Sequence, residues 1–211
     1  MNMCLESSPI VASYHFTKAG GINIDVFPEV YSPREDTFLV IDNIVLTPNI
    51  RFLEIGVGTG LISIFAAKRG AIVEGTDINP AAVGNAKHNT ATNDVNARFH
   101  CGDLFEGISG KFDLIVFNPP YLPISEGDKL QKWEEEALIG GHYGVETSIR
   151  FLEKCPEYMN RDCIIYLVLS SLGDTDRLTE RFRDRFVFEK TAHVDFNKER
   201  LTLFGIKNKT E

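Results

Sequence analysis

The chain has 211 residues, 43% hydrophobic and 25% charged, the balance of an ordinary globular protein with length enough for one sizeable core. The densest apolar run, Cys163 to Leu169, is too short to cross a bilayer, and Met1 to Pro9 holds no basic cluster followed by an apolar stretch, so neither a membrane span nor a signal peptide is expected. Cys4, Cys101, Cys155 and Cys163 have neither disulfide nor zinc spacing, which points to a reducing cytoplasm and no metal site, and a net charge of -8 argues against gripping nucleic-acid phosphates and suits a basic protein partner.

Ser13 to Phe27 holds two β-like runs about Gly20-Gly21 and reads as a hairpin, part of an extension over residues 1–30 that packs on a core domain over 31–211. Asp36 to Asn43 is expected to be helical, with Asp36 a candidate N-cap. From residue 50 strands and helices alternate: strand Ile50–Ile55, helix Leu61–Arg69 stopped by Gly70, strand Ala71–Asp77, and a helix through Ala81–Ala91 that Pro80 opens. Strands Ala97–Cys101 and Phe112–Phe117, helix Thr147–Met159, strand Cys163–Ser170 and helix Asp174–Arg185 follow. Phe186–Asp195 and Arg200–Lys207 are expected to form an antiparallel pair joined near Asn197-Lys198. Repeated βα units with continuously apolar strands indicate an α/β fold, a mostly parallel sheet with helices on both faces, here finished by an antiparallel hairpin.

Three segments carry candidate chemistry. Glu54-Ile55-Gly56-Val57-Gly58-Thr59-Gly60 ends the first core strand and opens a helix, where glycines let the backbone turn and approach a ligand. Asp77 and Asp103 end the next two strands, so three carboxylates line one carboxyl edge; Asp77 follows the loop by about 20 residues, the spacing of an acid that takes a ribose hydroxyl pair. An acid beside the loop repels a pyrophosphate but attracts an ammonium or sulfonium, which favours S-adenosylmethionine over a dinucleotide. The alternative is that Glu54 and Asp103 cap loops around an ordinary tight turn.

Asn118-Pro119-Pro120-Tyr121 follows the fourth strand. Its prolines stiffen the turn, so the Asn118 side-chain oxygen and the Pro119 carbonyl can accept both hydrogens of one NH2 group, and Tyr121 can stack on a flat amide or base. A rigid turn with a core tyrosine is the bland alternative. Tyr31-Ser32-Pro33-Arg34-Glu35-Asp36-Thr37-Phe38 could close over the cofactor's amino-acid end, with Thr37 donating a hydrogen bond. Glu134-Glu135-Glu136, inside the long 122–143 segment, reads as a solvated helix start.

These segments, with Gly102-Asp103-Leu104-Phe105, Phe112-Asp113-x-Ile115 and Gly140-Gly141-x-x-Gly144, occur in an order that resembles HemK-type glutamine N5-methyltransferases of the short archaeal and eukaryotic type, from about residue 24 onward. The resemblance implies a class I, Rossmann-like methyltransferase domain with a seven-stranded sheet. It implies S-adenosylmethionine as cofactor, bound by Thr37, Glu54, Gly56, Gly58, Thr59, Gly60, Asp77, Ile78, Asp103, Leu104 and Asn118. It puts Asn118, Pro119, Pro120 and Tyr121 on a substrate glutamine in the Gly-Gly-Gln motif of a class 1 translation release factor. It also implies a small, zinc-containing activator subunit as a candidate partner. Because Asn-Pro-Pro-Tyr is shared with N6-adenine methyltransferases, nucleic-acid methylation is the alternative, though no basic groove or recognition module is evident. Another protein or small-molecule nitrogen is a further alternative; a noncatalytic binding protein would be expected to have a damaged turn.

Overall fold

The computed structural model describes residues 10–17, 21–124, 133, 137–196 and 198–209. Two short strands, β1 (Ala12–Phe16) and β2 (Ile22–Val26), pair antiparallel and precede helix α1 (Glu35–Ile41). The core then runs β3 (Arg51–Ile55), α2 (Leu61–Ala67), β4 (Ile72–Asp77), α3 (Pro80–Thr92), β5 (Ala97–Cys101) and β6 (Phe112–Phe117). Next come a small parallel pair, β7 (Leu122–Pro123) and β8 (Ile139–Gly141), then α4 (Glu146–Lys154) with a 3-10 turn, β9 (Met159–Ser170), α5 (Thr175–Phe182), β10 (Phe186–Phe196) and β11 (Glu199–Asn208).

Seven strands form the main sheet in the order β10-β11-β9-β6-β3-β4-β5. Pairing is parallel from β9 through β5 and antiparallel where β11 joins β9 and β10. Successive side chains on a strand face opposite sides, and both sides are covered. Leu53, Ile115 and Phe117 pack with Phe151 and Leu178 of α4 and α5 on one face. Phe52, Leu114 and Val116 pack with Val40 and Ile64 of α1 and α2 on the other. Hence Leu114 to Phe117 of β6 reads as an unbroken apolar run in the sequence.

The expected α/β architecture with its closing hairpin is present, with local differences at element ends. The segment expected to be helical to Met159 stops at Lys154 and tightens into a 3-10 turn at Cys155–Tyr158, where Pro156 has no N–H with which to continue the helical ladder. Strand β9 therefore starts at Met159, four residues before the expected strand. The last helix is trimmed to Thr175–Phe182, with Asp174 accepting from the Arg177 N–H as its cap. Asp36 is not an N-cap: Arg34 holds that position and Asp36 lies inside the first turn of α1. Gly20, Asn197 and the acidic run 134–136 lie outside the described residues.

The N-terminal hairpin is fixed by a ladder that sequence patterns do not reveal. Asn85, Asn89 and Asn93 recur every four residues along α3 and its C-cap, and their side-chain oxygens accept from the Phe27, Asp25 and Asn23 N–H groups at 2.9 Å each. Their NH2 groups return bonds to the Asp25 and Asn23 carbonyls, so one helix face replaces a missing strand along the edge of β2. Asn79, at the N-terminus of α3, also donates to the Glu29 carbonyl at 2.7 Å. That bond carries the hairpin's exit, Glu29 to Tyr31, to the rim of a cleft at the carboxyl ends of the strands.

Candidate active site

The cleft measures about 400 Å³. It lies across the carboxyl ends of β6, β3, β4 and β5, where open α/β sheets bind ligands. It is lined by Thr37, Glu54, Gly56, Gly58, Thr59, Asp77, Ile78, Asp103, Leu104 and the turn Asn118 to Tyr121, which covers every expected site residue except Gly60. Gly60 packs against Ala86 of α3. Its φ is +80°, and an added Cβ would stand 3.0 Å from the Ala86 Cβ, so a side chain there would push α3 away.

Glu54, at the end of β3, is 3% exposed and accepts a 2.5 Å hydrogen bond from the Ser63 hydroxyl on α2. Burial pushes its carboxyl up to about 8, against the opposing pull of the Ser63 bonds. Glu54 by itself is thus largely protonated at neutral pH, and a cation beside it would restore its charge. One Asp77 oxygen accepts from the Gly58 N–H and the other from the Asn79 N–H, both at 2.9 Å. Burial raises this carboxyl too, while those two N–H bonds lower it. Asp77 therefore ties the glycine loop to the end of β4 as well as facing the cleft.

Beyond β5, Asp103 is partly exposed and paired with Arg150 of α4. Leu104 has φ +53°, an unfavourable conformation for a branched side chain, and the Thr76 hydroxyl holds its carbonyl at 2.5 Å. Arg150, Thr76 and Trp133 all line the cleft and none was singled out from sequence. For Arg150 and Trp133 the signal is spatial, since both reach the cleft only through the folded topology.

On the opposite side, the Asn118 side-chain NH2 donates to Asp36 at 3.0 Å, and the Tyr121 hydroxyl donates to the same Asp36 oxygen at 3.3 Å. This fixes the direction of the Asn118 amide. Its oxygen is closed off from solvent and has no partner among the described residues. An unmet buried acceptor costs about 1–3 kcal/mol, so the position fits a ligand that brings an N–H. Burial, with Asp36 alongside, pushes the Tyr121 phenol far above its ordinary value, and Tyr31 nearby is pushed up to about 12. The Thr37 hydroxyl, at the cleft wall, donates to Asp36 and accepts from the Arg34 N–H.

The turn rests on glycines. A Cβ on Gly140 would lie 2.5 Å from the Pro120 carbonyl oxygen, and one on Gly144 2.6 Å from that of Tyr121. The Gly140-Gly141-x-x-Gly144 segment thus passes directly behind the Pro-Pro-Tyr backbone, an approach that side chains would block. Among the described residues, no group of three or more His, Cys, Asp or Glu side chains could hold a metal ion, and no helix is long and apolar enough to cross a membrane.

Residues 28–194 match the family model described as the methyltransferase small domain. A relative from Methanocaldococcus jannaschii, named "Putative protein N5-glutamine methyltransferase", is 48% identical over 88% of this chain and 95% of its own length. A release factor glutamine methyltransferase from Geobacter sulfurreducens is 34% identical over 66% of this chain, which spans only 53% of that longer relative. The solved E. cuniculi Mtq2–Trm112 complex, responsible for methylation of the eRF1 termination factor, superposes with TM-score 0.65 at 23% identity, covering 85% of this chain and 99% of that one. The glycine loop, the carboxylate-lined strand ends and the Asn-Pro-Pro-Tyr turn agree with these likenesses: the chain belongs to the methyltransferase small-domain family, and within it to the HemK-type glutamine N5-methyltransferases that use S-adenosylmethionine.

Proposed function

We propose that this protein methylates the side-chain amide of a glutamine in a translation release factor. The observation that carries this reading is the enclosed, unpartnered Asn118 oxygen on a turn whose next residue, Pro119, offers a carbonyl and no N–H. Two acceptors and no competing donor suit an NH2 group that keeps both hydrogens while its nitrogen faces the methyl donor. The strand order β6-β3-β4-β5 sets Asn118, Glu54, Asp77 and Asp103 in sequence along the cleft. In that order Glu54 would meet the cofactor's ammonium, Asp77 its ribose hydroxyls, and Asp103 with Leu104 its adenine. When bound, S-adenosylmethionine would supply an electrophilic methyl with a neutral thioether as leaving group, and the amide nitrogen that takes the methyl would lose one proton to solvent.

An amide nitrogen is a poor nucleophile, so the protein's contribution is orientation. Holding the two reacting groups in line can supply up to about 7–11 kcal/mol. Asn118 and Pro119 set the direction of the amide, and the glycine seat behind Pro120 and Tyr121 keeps the turn from yielding. The net charge of -8 favours a basic protein over a polyanion, which sets the nucleic-acid alternative second. A small activator subunit on an open edge of the sheet belongs to the same reading, supported by the two-protein form of the E. cuniculi structure. Radiolabelled methyl transfer to release factor, DNA and RNA in parallel tests the substrate. Label is expected in the release factor alone; label chiefly in nucleic acid would reject the proposal.

A further inference from the structure

Asp36 is the most deeply placed charge on the acceptor side of the cleft, 3% exposed in the first turn of α1. One of its oxygens takes the Thr37 N–H at 2.7 Å and the Thr37 hydroxyl at 3.2 Å. The other takes the Asn118 NH2 at 3.0 Å and the Tyr121 hydroxyl at 3.3 Å. Four donors converge on one carboxylate, which leaves it no free direction toward a reacting atom. What it does govern is the Asn118 amide. The two ends of that amide are nearly the same size, so packing alone discriminates poorly between them. A carboxylate accepts hydrogens only, so Asp36 admits the NH2 end and turns away the oxygen end.

We infer that Asp36 is a positioning residue, which locks the Asn118 amide in the one orientation that presents an acceptor to the substrate. A flipped Asn118 would offer NH2 to an incoming NH2 and repel the group it must hold. The same carboxylate anchors the Tyr121 hydroxyl, so α1 fixes both ends of the Asn-Pro-Pro-Tyr turn from 82 and 85 residues away in sequence. The inference rests on the proposed amide chemistry for its kinetic consequence. The lock itself is independent of which substrate is used.

Two measurements therefore run together. In the wild-type protein, the 15N-resolved Asn118 side-chain NH2 should exchange with solvent far more slowly than that of an exposed asparagine, without cofactor or substrate. Rapid exchange would overturn the lock whatever the substrate proves to be. In Asp36→Ala, kcat should fall about 100-fold, the scale of loss expected from a misplaced reacting group, while S-adenosylmethionine affinity and the KM for release factor stay within about threefold. Asp36→Asn, which keeps one acceptor oxygen, should lose less. In an Asn118→Ala background, Asp36→Ala should cost almost nothing further, because the group it orients is gone. Equal losses of kcat, cofactor affinity and thermal stability would assign Asp36 to general scaffolding and contradict the inference, as would multiplicative losses in the double variant.

Discussion

On the glycine-loop side of the cleft, each group comes from the end of the strand that carries it. Glu54 ends β3, Asp77 ends β4, and the loop between β3 and α2 is held to Asp77 by the Gly58 N–H, 19 residues earlier, while the Asn79 N–H two positions on takes the other Asp77 oxygen. On the Asn118 side, the turn is held by Asp36, 82 residues earlier, and is backed by Gly140 and Gly144. The first side can be disturbed one residue at a time. The second is a network that hangs on a few long-range contacts, so a fault in any one should misdirect the rest. The two sides should accordingly fail differently: the loop side in affinity, the turn side in rate.

The largest expected effect is on rate. Asn118→Ala should lower kcat by at least about 100-fold, while calorimetry finds S-adenosylmethionine affinity only modestly weaker. Near-normal turnover in that folded variant would abolish the distinction. Asp77→Ala should show the converse. Loss of charge-assisted bonds of about 1.5–3 kcal/mol each predicts at least tenfold weaker cofactor binding, with much of kcat recovered at saturation. Unchanged affinity would remove Asp77 from the cofactor's ribose.

Glu54→Gln sharpens the comparison through pH. A carboxyl that titrates near 8 when folded but near 4.5 when unfolded holds its proton longer in the native state. Its contribution to stability therefore declines as pH rises from about 4.5 and levels off above about 8. Glu54→Gln, uncharged throughout, should melt higher than wild type at pH 8.5 and show a smaller difference at pH 5. Cofactor binding to wild type near neutral pH should release protons as Glu54 ionises beside the ammonium, and the variant should release fewer. Equal proton release, read by calorimetry in buffers of different ionisation enthalpy, would contradict that role. A smaller effect on activity is expected for Asn89→Ala, which removes bonds to both Asp25 backbone groups and to the Thr59 carbonyl. Stability should drop by about 1–3 kcal/mol while kcat holds; a collapse of kcat at preserved stability would tie the hairpin to catalysis directly.

The same contrast explains what the sequence made visible. Strand ends and the glycine loop follow from local patterns, since β3 and β6 are mostly apolar and Asp77 lies at a fixed spacing from the loop. Asp36 is legible only as a helix-cap candidate, because its partners Asn118 and Tyr121 come within reach only once α1 is docked on the sheet. The asparagine ladder on α3 was invisible for a related reason. Its polar face looks solvent-directed until the β2 edge is placed against it. Arg150 likewise meets Asp103 only after α4 packs on the sheet. Pro156, a helix breaker visible in the sequence, explains the early end of α4.

The most direct test of the central claim is mass spectrometry of a release factor after reaction with the wild-type protein and S-adenosylmethionine. One added methyl group is expected, on the glutamine that follows the two glycines, and none in a factor carrying alanine there. Equal methylation of that alanine-bearing factor would show that the cleft does not act on this amide.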